Sequence, residues 1–291
     1  MKTQEEEQIE VGVKDIPPPS SHIDPSKKAA ILFGMNYTKC PSNRLRGCHN
    51  DAELMEKYLV ELRGYDKKNV MKCIDIDSPE DLRLTSTRGM IQSLQELVAR
   101  SHKDDLEEVF ITYSGHGSQV RDFTGREEDG MNEIILPWDF QTGGYISDDT
   151  IHNILRGMNP KTRIICIFDC CHSGSIADLE FKYAYDRHEN KIIHSRIKHN
   201  SMLPNVITLS GCKDCQVSMD AYNVRGRKQF SGAMTACLIR LLRKNEEEKE
   251  EKEGVKLFDL FGLLHDLLGD KEFVQMPVLF SSKVLTPEDE F

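Results

Sequence analysis

Short apolar runs ending in small or polar turn residues alternate along this chain with segments whose apolar residues recur every three or four positions. The runs are "KKAAILFGMNY", "NVMKCIDI", "LEEVFITYSG", "TRIICIFD" and "LPNVITLSG". Each has strand length and is too continuously apolar for a strand with one face in water. Helical patterns lie between and after them. "HNDAELMEKYLVEL" sets Leu54, Tyr58 and Leu62 on one face, with Asn50 or Asp51 as N-cap. "TRGMIQSLQELVAR", "DDTIHNILRGM", "GAMTACLIRLLRK" and "KLFDLFGLLHDLLG" carry the same period. Apolar strands alternating with amphipathic helices predict an α/β fold with a mostly parallel central sheet and helices on both faces.

The polar stretches mark the boundaries. Residues 1–26, ending "DIPPPSSHIDPS", have no periodicity and read as a flexible tail. One domain is expected over 27–291, in two halves, 27–179 and 204–291. The polar, Lys/Arg/His-rich residues 180–203 form an exposed loop between them. The charge run "NEEEKEEKEG" reads as a solvated helix end or loop.

Composition narrows the function classes. A net charge of -10 argues against a nucleic-acid binder, which needs a basic stripe. No apolar run approaches the roughly 18 residues that would span a bilayer, so no membrane partner is expected. The N-terminal segment is acidic where a secretion signal is basic and then apolar, and Lys2 replaces the glycine needed for myristoylation. The cytoplasm or nucleus is the expected location. There the nine cysteines should be mostly reduced thiols.

Two of the apolar runs end in matching chemistry: "TYSGHG", with His116, and "FDCCHSG", with Cys170 and Cys171. In open α/β sheets, sites form where loops leave the carboxyl ends of strands. A thiol and an imidazole brought together there suit acyl transfer: the thiolate attacks a carbonyl, and the imidazole takes the thiol proton and returns it to the leaving amine. Backbone N–H groups of Gly117 and Cys171 can serve the oxyanion. The competing explanation is a pair of tight turns holding buried cysteines. Two such motifs, each after an apolar strand, weigh against it.

These motifs resemble the histidine and cysteine motifs of metacaspases, the caspase-like cysteine peptidases. "LRGCHNDAELM", "EEDGMNEIILPWDF", "YISDDTIH", "LSGCKDCQVSMDA" and "GAMTACLIRLL" extend the resemblance across roughly residues 28–283. The short segment between the halves is like the type I arrangement. The resemblance implies a caspase-like three-layer sandwich, and a calcium-stimulated endopeptidase cutting proteins or peptides after Arg or Lys. In the family pattern the nucleophile directly precedes the histidine of the cysteine motif, which selects Cys171. Alternation along the strand end agrees, turning Cys170 inward. His116 is then the base, and the neighbouring His172 is not.

Asp169, two residues before the nucleophile, would line the pocket for the side chain preceding the cleaved bond. The resemblance adds Asp51, with Ser114 beside it; N-capping is the competing explanation for Asp51. Paired carboxylates select Arg or Lys. Asp148 and Asp149 stand at a helix start, where dipole complementarity alone explains them. The resemblance implies that they bind Ca²⁺ with Asp178. Asn132 stands where the family often has Asp, which removes a charge, and Asp129 is positioned to compensate.

Cys212 and Cys215 form a lone Cys-x-x-Cys without the further ligands that zinc needs. Lys182, Arg187, Lys191 and Arg196 are candidate self-cleavage sites. A monomer is expected. The rival functions are a catalytically impaired caspase-like scaffold acting by binding, supported by Asn132, and a thiol-redox or metal-binding protein.

Overall fold

The computed structural model describes residues 23–122, 130–170, 176–189, 191–197, 202–211, 220–222, 230–248, 254–269 and 276–291. In chain order the first half contains β1 (Lys28–Gly34), α1 (Cys48–Glu61), β2 (Val70–Ile74), α2 (Pro79–Leu84), α3 (Thr87–Lys103) and β3 (Glu108–Ser114). Then come β4 (Gly117–Arg121), β5 (Met131–Ile135), α4 (Phe140–Gly143), β6 (Ile146–Ser147), α5 (Asp148–Arg156) and β7 (Arg163–Asp169). The second half contains β8 (Phe181–Asp186), β9 (Lys191–Arg196), β10 (Asn205–Ser210), β11 (Asp220–Tyr222) and β12 (Phe230–Gly232). It closes with α6 (Ala233–Glu248), α7 (Leu257–Gly269) and β13 (Val278–Ser281).

Eight strands form one sheet in the order β2-β1-β3-β7-β10-β13-β8-β9. The pairings from β2 through β10 are parallel. Those from β10 outward to β9 are antiparallel. Alternation along β1 explains the layering. Ala30 and Leu32 join the core beneath α1, α6 and α7, while Ala29, Ile31 and Phe33 join the core beneath α3 and α5. A central strand that feeds two cores must be apolar at every position, and all seven residues of β1 are buried. The apolar-run prediction holds for this reason, and the three-layer sandwich is the architecture observed.

Two expectations change. Within 180–203, expected to be a loop, β8 and β9 pair as a hairpin that extends the sheet beyond β13, while 190 and 198–201 lie outside the described residues. Exposure of both faces of β9 gave the segment a polar pattern that hid its strand character. Nor is Asn50 or Asp51 the N-cap of α1. The helix starts at Cys48 after Gly47, and the Cys48 N–H donates to Asn36 Oδ1 at 3.0 Å. A distant side chain does the capping, which no local pattern reveals.

One register fixes both ends of the central strands. Lys28, Glu108 and Arg163 are level across β1, β3 and β7, as are Gly34, Ser114 and Asp169 at the other end. At the first end, fully buried Glu108 accepts from Arg63 Nε at 3.1 Å and Nη2 at 3.0 Å, and from the Tyr65 hydroxyl at 2.8 Å. Arg163 stands on its other side at 3.5 Å. Burial by itself would raise the Glu108 carboxyl, but the two arginines and Tyr65 overcome it and hold the group down at about 2. Glu108→Gln should therefore cost about 3–5 kcal/mol at neutral pH, because two buried guanidiniums lose their counter-charge. The folded pKa lies below the ordinary 4.5, so the stabilisation is present above 4.5 and fades as pH falls towards 2. Urea unfolding of both proteins should show the gap narrowing over that interval. A gap constant with pH would contradict the assignment.

Candidate active site

The opposite end of the sheet gathers the sequence-derived residues. Ser114 ends β3 level with Asp169, which ends β7. His116 and Cys171 each follow two residues later in the chain. Cys170 is completely buried, as its inward alternation predicted. Cys171 lies outside the described residues, as do Asp129, His172, Cys212 and Cys215. The described cysteines, Cys40, Cys48, Cys73, Cys166, Cys170 and Cys237, are all free thiols.

His116 is held on several sides. Its ring lies 4.6 Å, centroid to centroid, from that of Tyr37, tilted by 32°. Its backbone N–H donates to the Tyr37 hydroxyl at 2.7 Å. Its Nε2 is 2.8 Å from the Asn43 carbonyl oxygen. A carbonyl only accepts, so Nε2 carries the proton, and Nδ1 of the neutral ring is left as the basic nitrogen. Gly115 is required here by close approach: a Cβ on it would come within 2.6 Å of the Tyr113 hydroxyl.

Gly117 begins β4 opposite Ile135. Leu136 N donates to His116 O at 3.1 Å, which makes Gly117–Ile135 a non-hydrogen-bonded pair of the ladder. The Gly117 N–H therefore points away from β5.

Asp51 sits in the first turn of α1 yet is only 2% exposed, and it accepts from the Ser114 hydroxyl at 2.6 Å. It is turned to the sheet, not to the helix end. Buried Asp169 uses Oδ2 to accept from Thr235 N at 3.0 Å and Thr235 Oγ1 at 2.8 Å, at the start of α6. Asp51, Thr112, Ser114 and Thr235 line a small pocket, which Met55 and Ile167 complete on the apolar side. Asp51 thus lines this pocket directly, and Asp169 bonds Thr235, another of its lining residues. Thr235 lies in a segment that carried the resemblance but was given no role, and Asn43 escaped sequence reasoning because it contributes only its backbone.

The acidic residues lie apart, behind β5. Ser147 caps α5 through its side chain, with Asp148 and Asp149 in the first turn. Asp148 is fully buried, accepting from Glu133 N at 2.7 Å and Asp149 N at 2.6 Å. Burial, with added repulsion from Asp178 and Glu133, pushes the Asp148 carboxyl up to about 8 despite those donors. Asp178 is buried with a left-handed backbone, φ 52°, a conformation aspartate tolerates. Asn132 precedes Glu133 on β5, and strand alternation puts their side chains on opposite faces. Glu133, not Asn132, is therefore the β5 side chain directed at Asp148. Among the described residues, no three acidic, histidine or cysteine side chains are close enough to form a ready-made metal site. The donor set is hard oxygen of like charge, which a divalent cation suits.

Among the described residues no helix is long and apolar enough to cross a membrane. The family model for the metacaspase, peptidase C14 domain, matches residues 27–180, just over half of the chain. Metacaspase-1 of Kluyveromyces lactis is 31% identical over 267 residues, covering 76% of this chain and 60% of that protein. Metacaspase-1A of Neurospora crassa is 30% identical over 300 residues, covering 88% and 63%. The chain thus spans about three fifths of the length of these relatives. Among solved structures, protein GSU0716 of Geobacter sulfurreducens is similar with a TM-score of 0.58 at 20% identity, over 89% of this chain and 95% of that one. The Drosophila initiator caspase Dronc gives 0.52 at 11% identity, over 99% and 89%. At these identities the two structures speak to fold alone.

Proposed function

The chain belongs to the metacaspases, and from that premise we propose that it is a cysteine endopeptidase cutting after arginine or lysine. Cys171 is the nucleophile and His116 the base. The observation that carries the specificity is the pocket lined by Asp51 and Thr235, with Asp169 bonded to that threonine, an acidic setting that suits a guanidinium or ammonium group.

The chemistry follows from the held imidazole. Nδ1 of His116 takes the Cys171 thiol proton, and the thiolate adds to the scissile carbonyl carbon. The Gly117 and Cys171 N–H groups stabilise the oxyanion. Collapse breaks the C–N bond, and the proton on His116 passes to the departing amine. Water, deprotonated by the same ring, then releases the acid from the thioester. The test is hydrolysis of fluorogenic peptides ending in Arg, Lys or Asp. Turnover of the Asp peptide with none of the Arg peptide would refute the specificity. No turnover of any would favour the scaffold reading.

Calcium stimulation belongs to the same proposal. Asp148, Asp178 and Glu133 would hold the ion, with Asp149 at the rim, and bound calcium supplies the positive charge that lets these carboxyl groups close together. Asp178 follows the cysteine motif by a few residues, so ordering it orders the strand end that carries the nucleophile. Asp148→Asn should raise the calcium concentration for half-maximal activity at least about tenfold, since one charged ligand is lost. Calcium titration calorimetry on the same variant gives a readout independent of turnover. Unchanged binding would remove Asp148 from the site.

A monomer is proposed on the sheet edges. The β8–β9 hairpin covers β13, and the outermost strand carries Lys191 and Arg196, charges that discourage edge pairing. Light scattering at micromolar concentration tests this, and a dimer mass would overturn it.

A further inference from the structure

Tyr37 combines three properties that seldom coincide. Its backbone is left-handed, φ 53°, which is a genuine outlier for a bulky residue. Its side chain is completely buried. Its hydroxyl is nevertheless fully engaged: it accepts from His116 N at 2.7 Å, donates to Leu136 O at 2.7 Å, and lies 3.1 Å from the Tyr113 hydroxyl. Burial holds the Tyr37 phenol well above its ordinary range, so it stays protonated and keeps both roles.

The unusual backbone is clamped from both sides by one residue. Asp75 follows β2, is fully buried, and accepts from Asn36 N at 2.6 Å with Oδ1 and from Thr38 N at 2.9 Å with Oδ2. Those are the two amides flanking Tyr37. The Asp75 carbonyl also accepts from Thr38 Oγ1 at 2.5 Å, and His49 Nε2 lies 2.6 Å from Oδ1. Strained backbone persists only where the surroundings over-determine it, and such residues cluster at functional sites. Here the strain aims a phenol at one imidazole.

We propose that Tyr37, locked by Asp75, is a positioning residue for His116: it fixes the loop and ring so that Nε2 stays on the Asn43 carbonyl and Nδ1 is kept as the basic nitrogen. This rests on His116 being the base. Tyr37 touches no reacting atom; it restricts the imidazole to one orientation and one tautomer.

Tyr37→Phe in the full chain keeps the ring platform and deletes the hydroxyl. Expected is a fall in kcat of roughly tenfold to a hundredfold with KM for the Arg peptide close to wild type, since a small misplacement of a catalytic group has that effect. In ¹⁵N-labelled wild-type protein, the His116 ring should be a single tautomer protonated at Nε2, its signals assigned by their loss in His116→Gln. In Tyr37→Phe it should become a mixture. Asp75→Asn should lower kcat similarly, and the double variant should lose little more than either single one, as coupled residues do. Unchanged kcat with one Nε2 tautomer in Tyr37→Phe overturns the inference. Additive losses overturn the Asp75 link. If Asp75→Asn does not fold, the Tyr37→Phe result decides alone. His116→Ala separates the two levels: a dead His116→Ala beside an unaffected Tyr37→Phe refutes only the positioning role, whereas an active His116→Ala refutes both.

Discussion

Cys171→Ala is expected to abolish peptide hydrolysis, lowering kcat on the order of 10⁴- to 10⁶-fold, and His116→Ala should lower it comparably. Nucleophile and base act as a unit, so the double variant should be no worse than either alone. The expectation rests on register: Ser114 and Asp169 are level across β3 and β7, and the two residues follow at equal offsets. Cys170→Ala supplies the contrast. Its thiol is packed in the core, so its loss should affect stability more than turnover. The competing outcome, an active Cys171→Ala and an inactive Cys170→Ala, would exchange the two roles.

The same inert variant addresses self-cleavage. If the enzyme cuts itself, wild-type protein incubated with calcium should fragment while Cys171→Ala stays whole. The candidate sites are unequal, because peptidases bind extended, accessible chain. Lys182 lies over the Phe280 ring, Arg187 donates to the His265 carbonyl at the end of α7, and Arg196 pairs with Glu180. Lys191 is exposed at the start of β9. Fragment masses should therefore map first to Lys191. Cutting first at Lys182 would mean that the hairpin leaves the sheet before cleavage.

Asp169→Asn is expected to carry the second-largest effect. The amide keeps the shape and leaves Thr235 an oxygen to donate to, but the proposed substrate pocket loses a negative charge just behind Thr235. Removing one partner of a buried charge pair costs roughly 2–5 kcal/mol, so kcat/KM for an Arg peptide should fall about 30- to several-thousand-fold. Asp51→Asn should act in the same direction, with the Ser114 hydroxyl still able to donate. A citrulline peptide, neutral and nearly isosteric, separates charge from damage. Its kcat/KM should change little in either variant. Equal losses for both peptides would mean that these carboxylates support the site without selecting its substrate.

How much of this was legible beforehand depends on the range of the interaction. The strands β1, β3, β7 and β10 were visible because each feeds two cores and is apolar throughout, a property of single positions. His116 and Cys171 stood out as candidates because small residues surround each at the end of an apolar run. The β8–β9 hairpin was not, since an edge strand with both faces in water has lost its period. Asp51 was ambiguous, because helix capping and pocket lining ask for the same residue type. Its bond to Ser114 decides between them.

The order of residues along the chain thus determined the layered α/β fold and the candidate residues at two strand ends. Each follows from side-chain type and local spacing. Tertiary structure alone decided that Asn43 lends a carbonyl, that Thr235 steadies Asp169 across 66 residues, that Glu133 rather than Asn132 faces Asp148, and that Asp75 sets the backbone of Tyr37. These are contacts between backbone atoms or lone side chains distant in sequence, and only closure of the sheet specifies which of them meet.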